Sequence, residues 1–339
     1  MIVDFHHHYT PRELIKEDPG DKLIVRFDEN GAPSYTVHSL LYAGEKFLGT
    51  NTEVFAFYAS PITLGASCKP GTKFPGVVLI HGGGGTAFAD WAYLWAKRGY
   101  AAIAMDLAGH GPAGRLPDGG PDQSDETKFK DFTGDAVKDM WSYHAVAAVI
   151  RGHSLLAAQP AVDRNRIGLT GISWGGYLTC LVASLDDRLK VAVPVYGCGF
   201  LAENSVWTEP RFVPMSPEQR QRWTTEFDPA SYLAQVRCPI LFLNGTNDFA
   251  YPADSYAKCF DLVKAPKWMS MQVRLPHGHI WNFPEVDAFI DSPVGSAPDA
   301  MAQLEYAGEP PCAAIVVLYA TLTSALGTLA VEIDRPLPM

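Results

Sequence analysis

The sequence is short of positive charge: 27 lysines and arginines against 37 aspartates and glutamates leave a formal net charge of −10 over 339 residues. No basic surface is expected to follow a phosphate backbone or an anionic bilayer, so nucleic acid and membranes are not expected partners, and small neutral or cationic ligands remain. Ordered cysteine spacing is missing as well. Cys68, Cys180, Cys198, Cys238, Cys259 and Cys312 are scattered without a C-x-x-C pair, which argues against a zinc module or a disulfide framework and makes them packing residues. No basic segment followed by an apolar stretch opens the chain, and a reduced, cytoplasmic protein is expected. Repeats and low-complexity tracts are absent, which removes the collagen-like, coiled-coil and disordered classes. One long run, 313–331, is nearly uncharged and about long enough to cross a bilayer. Its Thr321, Thr323, Ser324, Gly327 and Thr328 favour buried or paired strands instead.

What is present is 47% hydrophobic residue, enough for a large core. From about Gly44 short β-branched or aliphatic runs alternate with longer helical stretches, the pattern of a mostly parallel sheet with helices on both faces, an α/β fold. Strands are predicted at 54–58, 76–80, 101–105, 166–170, 191–195, 240–243 and 271–275. Val137, Met140, Trp141, Ala145 and Ala148 recur at helical spacing and are expected to form a core stripe. Two connections, 109–132 and 197–236, are longer than a compact domain needs. The second carries Phe200, Trp207, Phe212, Trp223 and Phe227, which suit either a pocket wall or packing on the sheet. Residues 1–43 and 292–339 depart from this rhythm, so the expected organisation is an N-terminal extension, a catalytic domain over 44–291, and a C-terminal extension of strands.

The chemistry lies in four places. Gly171-Ile172-Ser173-Trp174-Gly175 fits G-x-S-x-G after an apolar strand and before a helix-compatible stretch. That placement holds a serine in a strained turn, with small neighbours where other chain passes close. His81-Gly82-Gly83-Gly84-Gly85 follows another strand and leaves backbone N–H groups uncovered. Those of Gly83 and Trp174 are the expected donors to an oxyanion, each worth about 10²–10³ in rate. The run lacks the G-x-G-x-x-G spacing and Lys-Ser/Thr ending of a phosphate cradle. A serine hydroxyl needs an imidazole base, and the imidazole a carboxylate. Asp248 follows one buried strand, and His277 and His279 follow the last. Strand-end loops at the carboxyl edge of a parallel sheet open on one side, where Ser173 also stands. His279 is favoured over His277, because Gly278 is free to fold the chain back over the serine while Pro276 holds the preceding backbone extended. His38, His110, His144 and His153 have no metal-like spacing and are read as surface or packing residues.

With the glycine loop, the serine turn, Asn247-Asp248 and the final histidine in this order, the chain resembles the α/β-hydrolase superfamily. Within it, residues 44–291 are similar to the acetylxylan esterase, dienelactone hydrolase and prolyl-oligopeptidase-like branch. The resemblance implies an α/β-hydrolase fold and a serine carboxylesterase acting on small, short-acyl esters without cofactor. Ser173 would be nucleophile, His279 base, Asp248 its orienting acid, and Gly83 with Trp174 the oxyanion hole. A prolyl-oligopeptidase-type peptidase and a non-catalytic hydrolase-fold binding protein are the alternatives. Ile2-Val3-Asp4-Phe5-His6-His7-His8 resembles instead the opening strand of the metal-dependent amidohydrolases, where an H-x-H pair binds metal. His6 and His8 are too few for a site, so a non-catalytic fragment with no metal is expected.

Overall fold

A computed structural model describes residues 37–281 and 283–294, preceded by the backbone of two short strands, Arg26–Phe27 and Pro33–Tyr35. His6, His8, Cys312 and the apolar run 313–331 lie outside the described residues.

Eight strands form the central sheet: β1 (His38–Ala43), β2 (Glu53–Ala59), β3 (Phe74–Ile80), β4 (Ala101–Met105), β5 (Val162–Ile172), β6 (Val191–Val195), β7 (Ile240–Gly245) and β8 (Lys267–Gln272). Their spatial order is β8-β7-β6-β5-β3-β4-β2-β1. The six from β3 to β8 are parallel, and β2 runs antiparallel to β4 and to β1. This is the α/β-hydrolase arrangement expected, with two differences at the edges. The sheet begins at His38, six residues before the expected boundary at Gly44, because β1 pairs along its whole length with β2. The last strand is Lys267–Gln272 rather than 271–275, ending where it pairs with Gly245. Arg274, at φ 55°, then turns the chain out of extension.

Alternation along the strands sends side chains to two faces. Val78 and Ile80 of β3 pack on one side with Ile103, Met105, Leu169 and Phe242. Helices α1 (Ala89–Lys97), α2 (Trp141–Ala157), α3 (Trp174–Leu185), α4 (Pro217–Phe227), α5 (Ala253–Leu262) and α6 (Pro284–Val294) divide accordingly. The stripe predicted from Met140, Trp141, Ala145 and Ala148 is buried on that first side with α3 and α5, whereas α1 and α6 cover Val77, Leu79, Val193 and Leu243 on the other. Each such side chain, fully buried, contributes about 1.5–3 kcal/mol. Polar ties fix the layers: the Trp141 indole donates to the Leu107 carbonyl at 2.6 Å, and His153 on α2 meets Asp186 after α3 at 2.8 Å.

The aromatic connection between β6 and β7 serves both purposes foreseen for it. Phe212, Trp223 and Phe227 are buried, with Phe129 of the other long connection stacked on Trp223 at 5.3 Å, while Trp207 faces a cavity. Asp228 organises this excursion, its carboxylate accepting from the N–H groups of Phe200, Leu201 and Ala230 at 2.8–2.9 Å.

Candidate active site

Ser173 stands between the end of β5 and the start of α3 at φ 56° and ψ −120°. Such a backbone costs a non-glycine residue roughly 1–3 kcal/mol. Its neighbours hold it there: the Ser173 N–H donates to the Val195 carbonyl of β6, and the Tyr177 N–H to the Ser173 carbonyl, both at 2.9 Å. The turn is so close to β3 that a side chain on Gly175 would collide with the Ile80 carbonyl. The G-x-S-x-G pattern is therefore a packing requirement here, as well as a signature.

Asp248 lies three residues beyond β7. One carboxylate oxygen accepts from the N–H groups of Ala250 at 2.9 Å and Tyr251 at 2.7 Å. The other meets Nδ1 of His277 at 2.7 Å, and Nε2 of His277 meets the Ser173 hydroxyl at 2.8 Å. The Asp248 side chain is 1% exposed and that of His277 12%. With the carboxylate accepting from Nδ1–H, Nε2 is left as an acceptor aimed at the hydroxyl proton.

His279, favoured from the sequence, does not occupy this position. The reversal expected at Gly278 is made earlier, at Arg274, and Gly278 is not among the residues at positive φ. The chain comes over the serine before Pro276, which brings His277 to it. The Tyr196 hydroxyl then anchors the segment, donating to the Gly278 carbonyl at 2.5 Å, while its ring packs on His277 with centroids 4.5 Å apart. His279 lies instead beside Gly82 and Gly85 of the glycine loop, between Phe88 and Trp281. Burial holds its pKa below the ordinary imidazole value, although the facing Gly82 backbone favours the charged form.

The glycine loop is positioned by His81. Nε2 of this buried ring accepts from the Leu107 N–H at 2.9 Å, so its proton sits on Nδ1 and is donated to the Gly82 carbonyl at 2.7 Å. Burial keeps the imidazole neutral, outweighing the attraction of Asp106. Because the peptide is planar and trans, fixing the Gly82 carbonyl also fixes the Gly83 N–H in the opposite direction. Gly83 packs directly on Trp174, where an added Cβ would lie 2.8 Å from the indole. The Trp174 N–H belongs to the first turn of α3, where a helix leaves its donors unpaired. Gly83 and Trp174, singled out from the sequence, both line the cavity at Ser173.

A cavity of about 290 Å³ opens onto Ser173, lined by both histidines, Gly82, Gly83, Ile172, Trp174, Trp207, Phe249 and Ala250. Among the described residues no cluster of three His, Cys, Asp or Glu side chains is arranged for a metal ion, and no helix is long and apolar enough to cross a membrane.

Residues 63–275, more than half of the chain, match the dienelactone hydrolase family. The chain belongs to that family. Its curated relatives include the uncharacterized peptidase YuxL of Bacillus subtilis, 27% identical over 61% of this chain and 31% of its own length. Another is the acetyl esterase Axe7A of Xylanibacter ruminicola, 23% identical over 59% of this chain and 48% of its own. The chain therefore spans 31–48% of the length of these relatives. Among solved structures, an acetyl xylan esterase from Paenibacillus sp. R4 covers 80% of this chain and 87% of its own, at a TM-score of 0.62 and 20% identity. That is a likeness of fold.

Three residues of this dienelactone hydrolase family member escaped the reading of its sequence. Tyr196 is the residue after a buried strand and gives no local signal. His81 looked like part of a motif rather than the residue that orients it. Phe249 had a signal, a bare aromatic in the polar turn Thr246-Asn247-Asp248.

Proposed function

We propose that this chain is a serine esterase that hydrolyses small, uncharged esters through an acyl-enzyme. The observation that carries the reading is the unbroken set of contacts Asp248–His277–Ser173, at 2.7 and 2.8 Å, beneath the glycine loop. The serine oxygen attacks the ester carbonyl as its proton passes to Nε2 of His277. The carbonyl oxygen, now negative, is held by the Gly83 and Trp174 N–H groups. Collapse breaks the bond to the alcohol, which leaves with the proton from His277. Water then repeats the sequence on the acyl-enzyme: His277 takes its proton, hydroxide adds to the carbonyl, and the acid departs as His277 returns the proton to the Ser173 oxygen. Asp248 fixes the tautomer and stabilises the imidazolium. No cofactor enters any step, and in this reading His279 lines the pocket rather than acting as base.

A peptidase, the alternative already raised by the sequence, is the second reading, and curated relatives named as peptidases support it. An aminopeptidase needs a carboxylate to receive a charged amino terminus, and among the described residues no Asp or Glu lines the cavity. This favours the ester over an aminopeptidase. The test is turnover of p-nitrophenyl acetate against the matching p-nitroanilide, by wild type and Ser173→Ala, with labelling by a fluorophosphonate. Turnover of the ester, lost together with labelling in Ser173→Ala, is expected. Equal rates in the two proteins would remove Ser173 from the mechanism, failure to label would favour a binding protein, and preference for the anilide would favour the peptidase.

A further inference from the structure

Phe249 is the most solvent-exposed aromatic of the cavity wall, at 69%. Leaving a phenyl ring in water forgoes about 1.5–3 kcal/mol of burial, and looseness of the turn does not explain its position. The backbone on both sides is pinned, by the Asp248 carboxylate accepting from the N–H groups of Ala250 and Tyr251. The ring is held against His277, with centroids 4.9 Å apart and planes at 53°, and one of its faces remains open.

The position of Phe249 relative to the proton path identifies what that face meets. In the mechanism proposed above, on which this inference rests, the departing oxygen takes its proton from Nε2 of His277 and must come within about 3 Å of it. The acyl carbon is bonded to Ser173 and its oxygen lies toward Gly83 and Trp174. The group attached to the departing oxygen is thus directed to the His277 side of the cavity. The other rings packed on His277, those of Tyr196 and Tyr251, are fully buried and closed to it, so the open neighbour is Phe249. No Lys, Arg, Asp or Glu side chain lines the cavity among the described residues, and desolvation lowers the pKa of His279. No charged side chain there compensates the desolvation of an ionised group.

We propose that Phe249 determines specificity on the alcohol side, and that the esters preferred carry an uncharged, flat, apolar alcohol such as an arylmethanol, its ring lying on that of Phe249. Transfer balances as in simple hydrolysis: the serine–acyl bond forms, the acyl–oxygen bond breaks, and the arylmethanol leaves with the proton held by His277.

The experiment compares kcat/KM for benzyl acetate and methyl acetate, whose acyl groups are identical, in wild type, Phe249→Ala and Phe249→Trp. Neither leaving group is a phenol, so ring stacking is separated from leaving-group acidity. An aromatic pair contributes a factor of about 3–10 beyond area burial. The ratio of benzyl to methyl acetate is expected to fall about tenfold in Phe249→Ala, through KM and kcat/KM more than kcat, and to recover in Phe249→Trp. A carboxylate in the para position of the benzyl group should lower kcat/KM in the wild type. An unchanged ratio in Phe249→Ala, or an equal loss on both esters, would overturn the proposal, the latter by showing that the ring acts through His277. A wild type inert toward both esters would overturn the esterase reading itself, and this one with it.

Discussion

Replacing each histidine of the last loop separately tests the site most directly. His277 contacts the Ser173 hydroxyl at 2.8 Å and Asp248 at 2.7 Å, so in the proposed mechanism His277→Ala removes the base, the acid for the leaving group, and the partner of a nearly inaccessible carboxylate. A positioned general base contributes about 10²–10⁴ in rate, and serine activation is lost with it, so a fall in kcat of about 10⁴-fold or more is expected. His279→Ala removes a ring that faces the Gly82 carbonyl and lines the cavity. That carbonyl keeps His81 as donor at 2.7 Å and the Gly85 N–H at 3.2 Å. The Gly83 N–H should stay oriented, and since a whole oxyanion donor is worth about 10²–10³, its partial disturbance should cost no more than about tenfold. The assay is initial-rate hydrolysis of p-nitrophenyl acetate with the rate of fluorophosphonate labelling beside it, on variants whose circular dichroism and melting match the wild type. Both readouts should separate the two variants by at least about 10³. A larger loss in His279→Ala, or comparable losses in both, would refute the assignment of the base.

Two further outcomes follow from the supports of the site. Tyr196→Phe removes the hydroxyl that donates to the Gly278 carbonyl at 2.5 Å and keeps the ring on His277. As a positioning residue it should lower kcat by about tenfold with KM little changed and displace the acid limb of the pH–rate profile, and an unmoved profile with unchanged kcat would contradict it. His81 titrates below the ordinary imidazole value because it is buried. As pH falls through about 6.5 the unfolded chain takes up a proton that the folded chain refuses, so stability must decline from there toward the lower folded pKa. Denaturant unfolding at about pH 7.5 and 5.5 should show that loss in the wild type and a smaller one in His81→Asn; equal losses would show that His81 does not contribute.

The parts of the fold that could be read from the sequence are those where both faces of a strand are buried. Ala101–Met105 and Val191–Val195 are buried at every position, and a run apolar throughout has no competing interpretation. The edges were less legible for the same reason. His38–Ala43 is exposed at both ends and buried or half-buried between them, next to a polar block, and every residue of Lys267–Gln272 is half-buried, so neither shows the continuous apolar run. Within the site, Ser173 and Asp248 followed from strand ends, because the register of parallel strands places those ends along one edge. The choice of histidine did not. It depends on a left-handed Arg274 and on a hydroxyl 82 residues away in the chain, neither of which is encoded in the local pattern Pro276-His277-Gly278-His279.

In the mechanism and specificity proposed above, the turn after β7 links reactivity to selectivity through one side chain. Asp248 has two oxygens with separate duties: one meets His277, and the other holds the N–H groups of Ala250 and Tyr251, with Phe249 fixed between them. A carboxylate that only steered the imidazole could sit on a mobile loop at little cost to geometry in the bound state. Here, movement of the turn would lengthen the contact with His277 and displace the Phe249 ring from it together. Charge-assisted acceptance from backbone N–H groups is stronger than between neutral partners, and this side chain is almost wholly withdrawn from water. The turn is consequently stiff where a substrate loop would ordinarily be adaptable, and selectivity on the alcohol side can be altered at the aromatic ring but hardly by shifting the backbone that carries it.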